Sequence, residues 1–397
     1  MVAKENLRFG TFIPPIHPLG ENPTLCLERD LQLIEHMDCL GFHEAWLGEH
    51  HSAGTELYST PELMILAAYY RTKHIRLGTG VNSLPYHHPL ILADRTMQLH
   101  HMTKGRSMFG AGPGALVSDA KMLGIETSRQ RDMMEDALEV VLKLFRGETV
   151  TKKTDWYELR DARLQLRPYD NVPVDVVTAS MMSPSGPRAA GRLGTGLMSM
   201  SATASPALAA AGTNWDIACD VAAQHGHIMD RSAWRMIGLV HVAESRDQAL
   251  EDIKFGLEEW VDYFENVAVL PMVPPERRGD PASHLIESGM AAIGTPDDCI
   301  QQIENLWKAS EGGFGCFLIT DHNWTQFEAK LKSYDMVARY VFPHFQNQNA
   351  QRKESFSWVR ERQVDFKASS EKATAEQIER HRKELESGKT ATGEAAE

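Results

Sequence analysis

His43-Glu44-Ala45-Trp46-Leu47-Gly48-Glu49-His50-His51 is a short apolar run that breaks into a carboxylate and two adjacent imidazoles. A run this short, bounded by polar residues, reads as a buried strand, and whatever follows it stands where the strand surfaces. In a barrel of parallel strands, that end is where the functional site is built. The fold therefore turns on whether such runs recur, each followed by a helix.

They recur on both sides. Leu7 to Ile13 comes first, followed by Asn22 as a helix cap and Pro23 at the first helical position; Leu27, Leu31 and Ile34 then repeat at helical spacing until Gly41 stops the helix. After Leu47 come a helix over Pro61 to Arg71, a strand over Ile75 to Val81, a helix opened by Pro89 and a strand over Ser107 to Ala111. A long helix from Gln130 to Phe145 follows, and then strands over Val174 to Thr178, Gly196 to Met200, Met236 to Val242 and Phe314 to Ile319. The helices between and after them are read around Arg188 to Arg192, over Ala207 to Gln224, from Arg246 to Phe264, and over Gln326 to Val341.

Eight strands, each followed by a helix, make the pattern of a (β/α)8 TIM barrel. Two doubly wound domains are the other arrangement of such units, but no Gly-x-Gly-x-x-Gly follows the first strand. Residues 146–172 lack a helical period and read as an insertion. Residues 267–293, with Pro271, Pro274, Pro275 and Gly279, read as a second one, long enough for a lid. The barrel domain is expected to span 1–345. Residues 346–397 form a charged C-terminal arm with a helix at Thr374 to Glu386.

Asp and Glu number 54 against 41 Lys and Arg, a net charge of −13, and no basic face is interleaved with aromatics, so nucleic acid is excluded as a partner. No apolar run reaches the roughly 20 residues a membrane helix needs. Met1 to Asn6 lacks the apolar segment of a signal peptide, and a cytoplasmic location is expected. Cys26, Cys39, Cys219, Cys299 and Cys316 are scattered without C-x-x-C spacing, as reduced thiols are.

Imidazole titrates near neutral pH, so a histidine at the barrel mouth can exchange a proton with a bound reactant. Side chains of adjacent residues on an extended segment point to opposite sides, so only one of His50 and His51 faces the cavity fully. The pairs His50-His51, His87-His88 and His100-His101 lack metal-ligand spacing, and no metal is expected. Gly78-Thr79-Gly80-Val81 ends the third strand with two glycines that let the backbone approach a flat ligand. Ser180 to Pro187 joins the fifth strand to a helix, and its hydroxyls and free N–H groups suit a phosphate. Arg129 and Arg131 open the long fourth helix and offer a counter-charge.

These pieces together resemble the bacterial luciferase-like flavin monooxygenases, most closely the limonene 1,2-monooxygenase branch. The resemblance runs over most of residues 7–345. It is most specific at 42–54, 72–89, 109–119, 183–187 and Gly294-Thr295-Pro296. It implies reduced FMN made by a separate NAD(P)H:flavin reductase, O2 as co-substrate, and transfer of oxygen from a C4a-peroxyflavin to a small apolar alkene or ketone. His50 falls on the family's catalytic histidine, with Glu49 beside it. Gly80-Val81 falls where family members place a cis peptide under the flavin ring. Arg131 and Ser180 fall on phosphate ligands, and Ser183, Ser185 and Gly186 belong to the same loop. Gly112 and Pro113 stand where the luciferases have a reactive cysteine and an arginine, so light emission does not carry over. Trp46, Met181 and Met182 are expected to give apolar walls for the substrate. A homodimer is expected. Related barrels instead transfer hydride with F420, and a catalytically silent flavin-binding protein is a third reading.

Overall fold

The eleven strands, in chain order, are β1 (Arg8–Ile13), β2 (Glu44–Leu47), β3 (Arg76–Ser83), β4 (Ser107–Gly112), β5 (Val150–Lys153), β6 (Glu158–Ala162), β7 (Asp175–Ser180), β8 (Gly196–Ser199), β9 (Trp234–Val242), β10 (Ala291–Gly294) and β11 (Cys316–Thr320). The computed structural model describes residues 1–181, 183–200 and 202–387. Eight of the strands close a ring in the order β1-β2-β3-β4-β7-β8-β9-β11, and β11 returns to β1 with Cys316 opposite Arg8. Every pairing in the ring is parallel, so the architecture is a TIM barrel.

Two local readings change within the barrel. Residues 291–293, at the end of the expected second insertion, belong to β10, which pairs with Leu239–Val242 along the upper part of β9. Helix Pro296–Ala309 follows it, started by a capping box in which Thr295 and Asp298 satisfy each other's backbone N–H groups. The helix expected from Arg246 to Phe264 is broken into Arg246–Asp252, a 3-10 turn Ile253–Phe255, and Leu257–Asp262. The break falls at Gly256, whose N–H donates to the carbonyl of Trp324 (2.9 Å); a Cβ there would lie 2.1 Å from the Asn323 carbonyl oxygen. A glycine that admits the β11 loop outweighs helical continuity. The first insertion contains the antiparallel hairpin β5–β6.

Inside the barrel, Trp46, Met108, Val177, Met198, Ile237, Cys316 and Leu318 form one buried cluster. Below it, at the N-terminal ends of the strands, Arg235 reaches Glu44 (3.1 and 3.2 Å) and Asp175 (2.7 Å), while Trp46 donates its indole N–H to Glu44 (2.9 Å). Burial alone would raise both carboxyls. The Arg235 guanidinium outweighs it, lowering Glu44 and holding Asp175 at about 2.

Met1–Gln346 is one compact unit and residues from Asn347 onward a second. The second unit holds helices Ala350–Glu361 and Gln363–Glu386, without buried residues among those described. The longer one starts well before the expected Thr374. Ion pairs one turn apart, Lys367–Glu371 and Lys372–Glu376, run along it. Among the described residues no helix is long and apolar enough to cross a membrane.

Candidate active site

β2 ends at Leu47, and the next residues leave the barrel at its C-terminal mouth with their side chains diverging. Glu49 is fully bonded. Its Oε1 accepts from Nε2 of His87 (2.6 Å) and Nε2 of His51 (3.0 Å), and its Oε2 from the N–H of Ser83 (2.7 Å). Burial would raise this carboxyl, but the hydrogen bonds from His51 and His87, with the Ser83 N–H, hold it at about 2. His51, raised in turn chiefly by its bond to Glu49, meets Tyr86 edge-on.

His50 turns the other way. Its Nδ1 lies 3.0 Å from Oδ2 of Asp119, on helix Val117–Met122 after β4. A carboxylate only accepts, so Nδ1 carries a proton. Asp119 also accepts from the N–H of His51 (3.1 Å) and the hydroxyl of Ser52 (2.5 Å), which together with His50 lower it against its burial. On the far side, Nε2 of His50 is 3.3 Å from Oε2 of Glu56. Burial would lower His50, but Glu56 and then Asp119 raise it above the ordinary imidazole value. The two carboxylates thus raise the proton affinity of the ring and fix its orientation, which suits a group that donates or takes a proton.

The neighbouring strand end carries Gly80-Val81, whose peptide bond is cis. The backbone here is closely packed. A Cβ on Gly110 would lie 2.2 Å from the Thr79 carbonyl oxygen, and one on Gly112 2.5 Å from Cγ2 of Val81.

Ser180, buried, ends β7, and Gly186 lies so close above it that a Cβ would meet the Ser180 Cβ at 2.6 Å. Helix Ser185–Leu193 has Pro184 at its cap, which supplies no side-chain hydrogen bond, and no acid in its first turn. The N–H groups of Ser185 and Gly186 are thus left without intrahelical partners, and the Ser183 and Ser185 hydroxyls lie 2.7 Å apart beside them. This end suits an anion. On helix Gln130–Phe145, Glu135 binds Arg192 (3.1 Å), so the face it shares with Arg131, one turn earlier, is turned toward Ser185–Leu193. Arg131 is exposed and has no acidic partner among the described residues. Arg129 is paired with Asp155.

Of the expected apolar walls, Trp46 is fully buried in the barrel interior, Met181 is 41% exposed, and Met182 lies outside the described residues. Ile16, Leu116, Leu239, Trp260, Tyr263 and Trp324 make one buried cluster from the loops after β1, β4 and β11, the upper part of β9 and the segment leading into the second insertion, with Ala53 packed on it. A partly open cavity of about 260 Å3 lies elsewhere, lined by Pro14, His17, Asp30, Asn323, Thr325 and Lys330 among others, and none of Glu49, His50, Gly80 and Ser180 lines it. Asp119, His87, Glu56 and Tyr263 join the site only through the tertiary structure. Asp119 and His87 fall inside the motif stretches 109–119 and 72–89, whereas no local signal marks Glu56 or Tyr263.

A closed parallel barrel with a histidine clamped between carboxylates at the mouth of its second strand defines a class of barrel enzyme. The profile described as luciferase-like monooxygenase matches residues 7–311, and the chain belongs to that family. It is 44% identical over 341 residues to limonene 1,2-monooxygenase of Rhodococcus erythropolis, covering 85% of this chain and 86% of that one. It is 42% identical over 364 residues to 4-hydroxyprotoasukamycin monooxygenase of Streptomyces nodosus subsp. asukaensis, covering 90% and 97%. Among solved structures, the oxygenating constituent of 3,6-diketocamphane monooxygenase from Pseudomonas putida, in complex with FMN, matches at TM-score 0.70 and 21% identity, covering 85% of this chain and 98% of that one. The chain is thus a luciferase-like monooxygenase.

Proposed function

We propose that the chain is the oxygenating component of a two-component system, taking FMN reduced by a separate NAD(P)H:flavin reductase and using O2 to oxygenate a small apolar, terpene-like alkene or ketone. When bound, reduced FMN supplies the electrons that activate O2. The observation that carries the reading is His50 held between Asp119 and Glu56 next to the Gly80-Val81 strand end.

Arg131, Ser180, Ser183, Ser185 and the N–H of Gly186 would hold the phosphate; they offer a free guanidinium, hydroxyls and an uncapped helix start, with no competing carboxylate in the first helical turn. Gly80 and Val81 would support the flavin ring. His50 carries the proton: Nδ1 is committed to Asp119, so exchange takes place at Nε2. Glu49 holds the loop, fixing His51, His87 and the start of the segment after β3. The apolar cluster over the mouth keeps water from the reacting atoms. Met181 would touch the substrate, and Trp46 backs the floor beneath it. Two copies would form the working homodimer.

His50→Asn tests the reading. With chemically reduced FMN, O2 and a panel of cyclic alkenes and ketones, product formation is expected to fall by about 10²–10⁴-fold while affinity for reduced FMN stays within a few-fold. Unchanged turnover refutes it, and turnover with reduced F420 but not with reduced FMN favours hydride transfer.

A further inference from the structure

Nε2 of His50, the nitrogen left for proton exchange, already has a neighbour in Oε2 of Glu56 at 3.3 Å. Glu56 lies in the loop after β2, pinned opposite Ile16 by an isolated bridge, and is 8% exposed. Its other oxygen, Oε1, accepts from the hydroxyl of Tyr263, on the π-helical turn Tyr263–Val267 that leads into the second insertion. Oε2 has no hydrogen-bond partner of its own among the described residues. A buried carboxylate oxygen in that state is costly unless a charge faces it, and the group that faces it is Nε2 of His50, which supplies that charge when the ring is protonated.

We propose that Glu56 is a positioning residue of the reaction, holding Nε2 of His50 protonated and aimed, and that Tyr263 in turn holds Glu56, tying the segment that leads into the second insertion to the catalytic imidazole by two contacts. This rests on the reading of His50 as the proton carrier. Asp119 faces His50 at Nδ1, with Glu49 and His51 behind the loop; His17, Tyr263 and Asp119 face Glu56. Burial pushes the Glu56 carboxyl up and His50 pulls it back, so the two titrate as a linked pair.

Titration of His50 by NMR of the histidine-labelled full-length protein reads this without flavin or substrate. The wild-type midpoint is expected above the ordinary imidazole value of about 6.5. Glu56→Gln is expected to lower it by about one pH unit or more, a tenfold loss of proton affinity, and Glu56→Asp, which keeps the charge, to lower it by less. An unchanged midpoint in a folded Glu56→Gln protein overturns the proposal. So does a wild-type midpoint at or below about 6.5, a result that needs no variant to fold. Failure of the oxygenation reading shows separately, as full turnover by His50→Asn.

Discussion

Replacing Glu49 by glutamine keeps the shape of a side chain that accepts from Ser83, His51 and His87 and removes its charge. A carboxyl held at about 2 against an ordinary 4.5 has its ionised form favoured by the fold by about 3 kcal/mol, at about 1.4 kcal/mol per pH unit. A lowered carboxyl contributes stability that is present above its unfolded value and lost as pH falls through the folded one. The window is therefore from 4.5 down to about 2. The glutamine oxygen can stay on the Ser83 N–H while its NH2 faces the imidazoles; His51 can change tautomer and accept, whereas His87, whose Nδ1 accepts from Arg95 (3.2 Å), keeps its proton on Nε2, so the cost is set by the lost charge together with that one hydrogen bond. Urea unfolding followed by tryptophan fluorescence, at steps from about pH 7 to about pH 3, should show Glu49→Gln less stable by about 3 kcal/mol at neutral pH. The gap should narrow below 4.5 as the wild-type carboxyl begins to protonate. A gap under about 1 kcal/mol at pH 7, or one that stays constant with pH, would refute the account of Glu49 as a charged, fully bonded anchor.

Arg131→Ala should weaken reduced FMN by about tenfold or more, the worth of a charge-assisted hydrogen bond, and leave riboflavin binding unchanged; equal loss of both ligands by fluorescence titration would remove Arg131 from the phosphate site. Arg235→Met removes the shared guanidinium and leaves buried Glu44 with Arg8 alone (3.3 Å) and half-buried Asp175 with Arg76 alone (2.9 Å); it should cost about 3 kcal/mol in urea unfolding, with much of the loss recovered in a triple variant that also carries Glu44→Gln and Asp175→Asn. Gly256→Ala drives a Cβ to 2.1 Å from the Asn323 carbonyl oxygen. It should destabilise by about 1–3 kcal/mol and lower the midpoint of His50 by displacing Tyr263 from Glu56, which thermal melts and the same NMR titration check.

Much of the barrel is legible along the chain because its signals are local. Runs such as Leu7 to Ile13 and His43 to Leu47 alternate with 3.6-residue periods, and strand and helix each announce themselves within a few residues. What escaped was decided from outside the segment. The helix through residue 256 breaks because the β11 loop docks on it, and the Ala291–Gly294 strand exists because the upper part of β9 is there to pair with. A propensity reading contains neither partner.

The site divides in the same way. The sequence by itself determined that a glutamate and two histidines stand at the end of a buried strand, since covalent neighbours and a two-residue period suffice for that. Only the tertiary structure decided what each atom does. Asp119 reaches Nδ1 of His50 from 69 positions away, and Tyr263 reaches Glu56 from 207, so which carboxylate holds which nitrogen depends on closing the ring and seating the insertion. Burial and charge pairing, which set the proton affinity of His50, come into being only when those distant segments exclude water together.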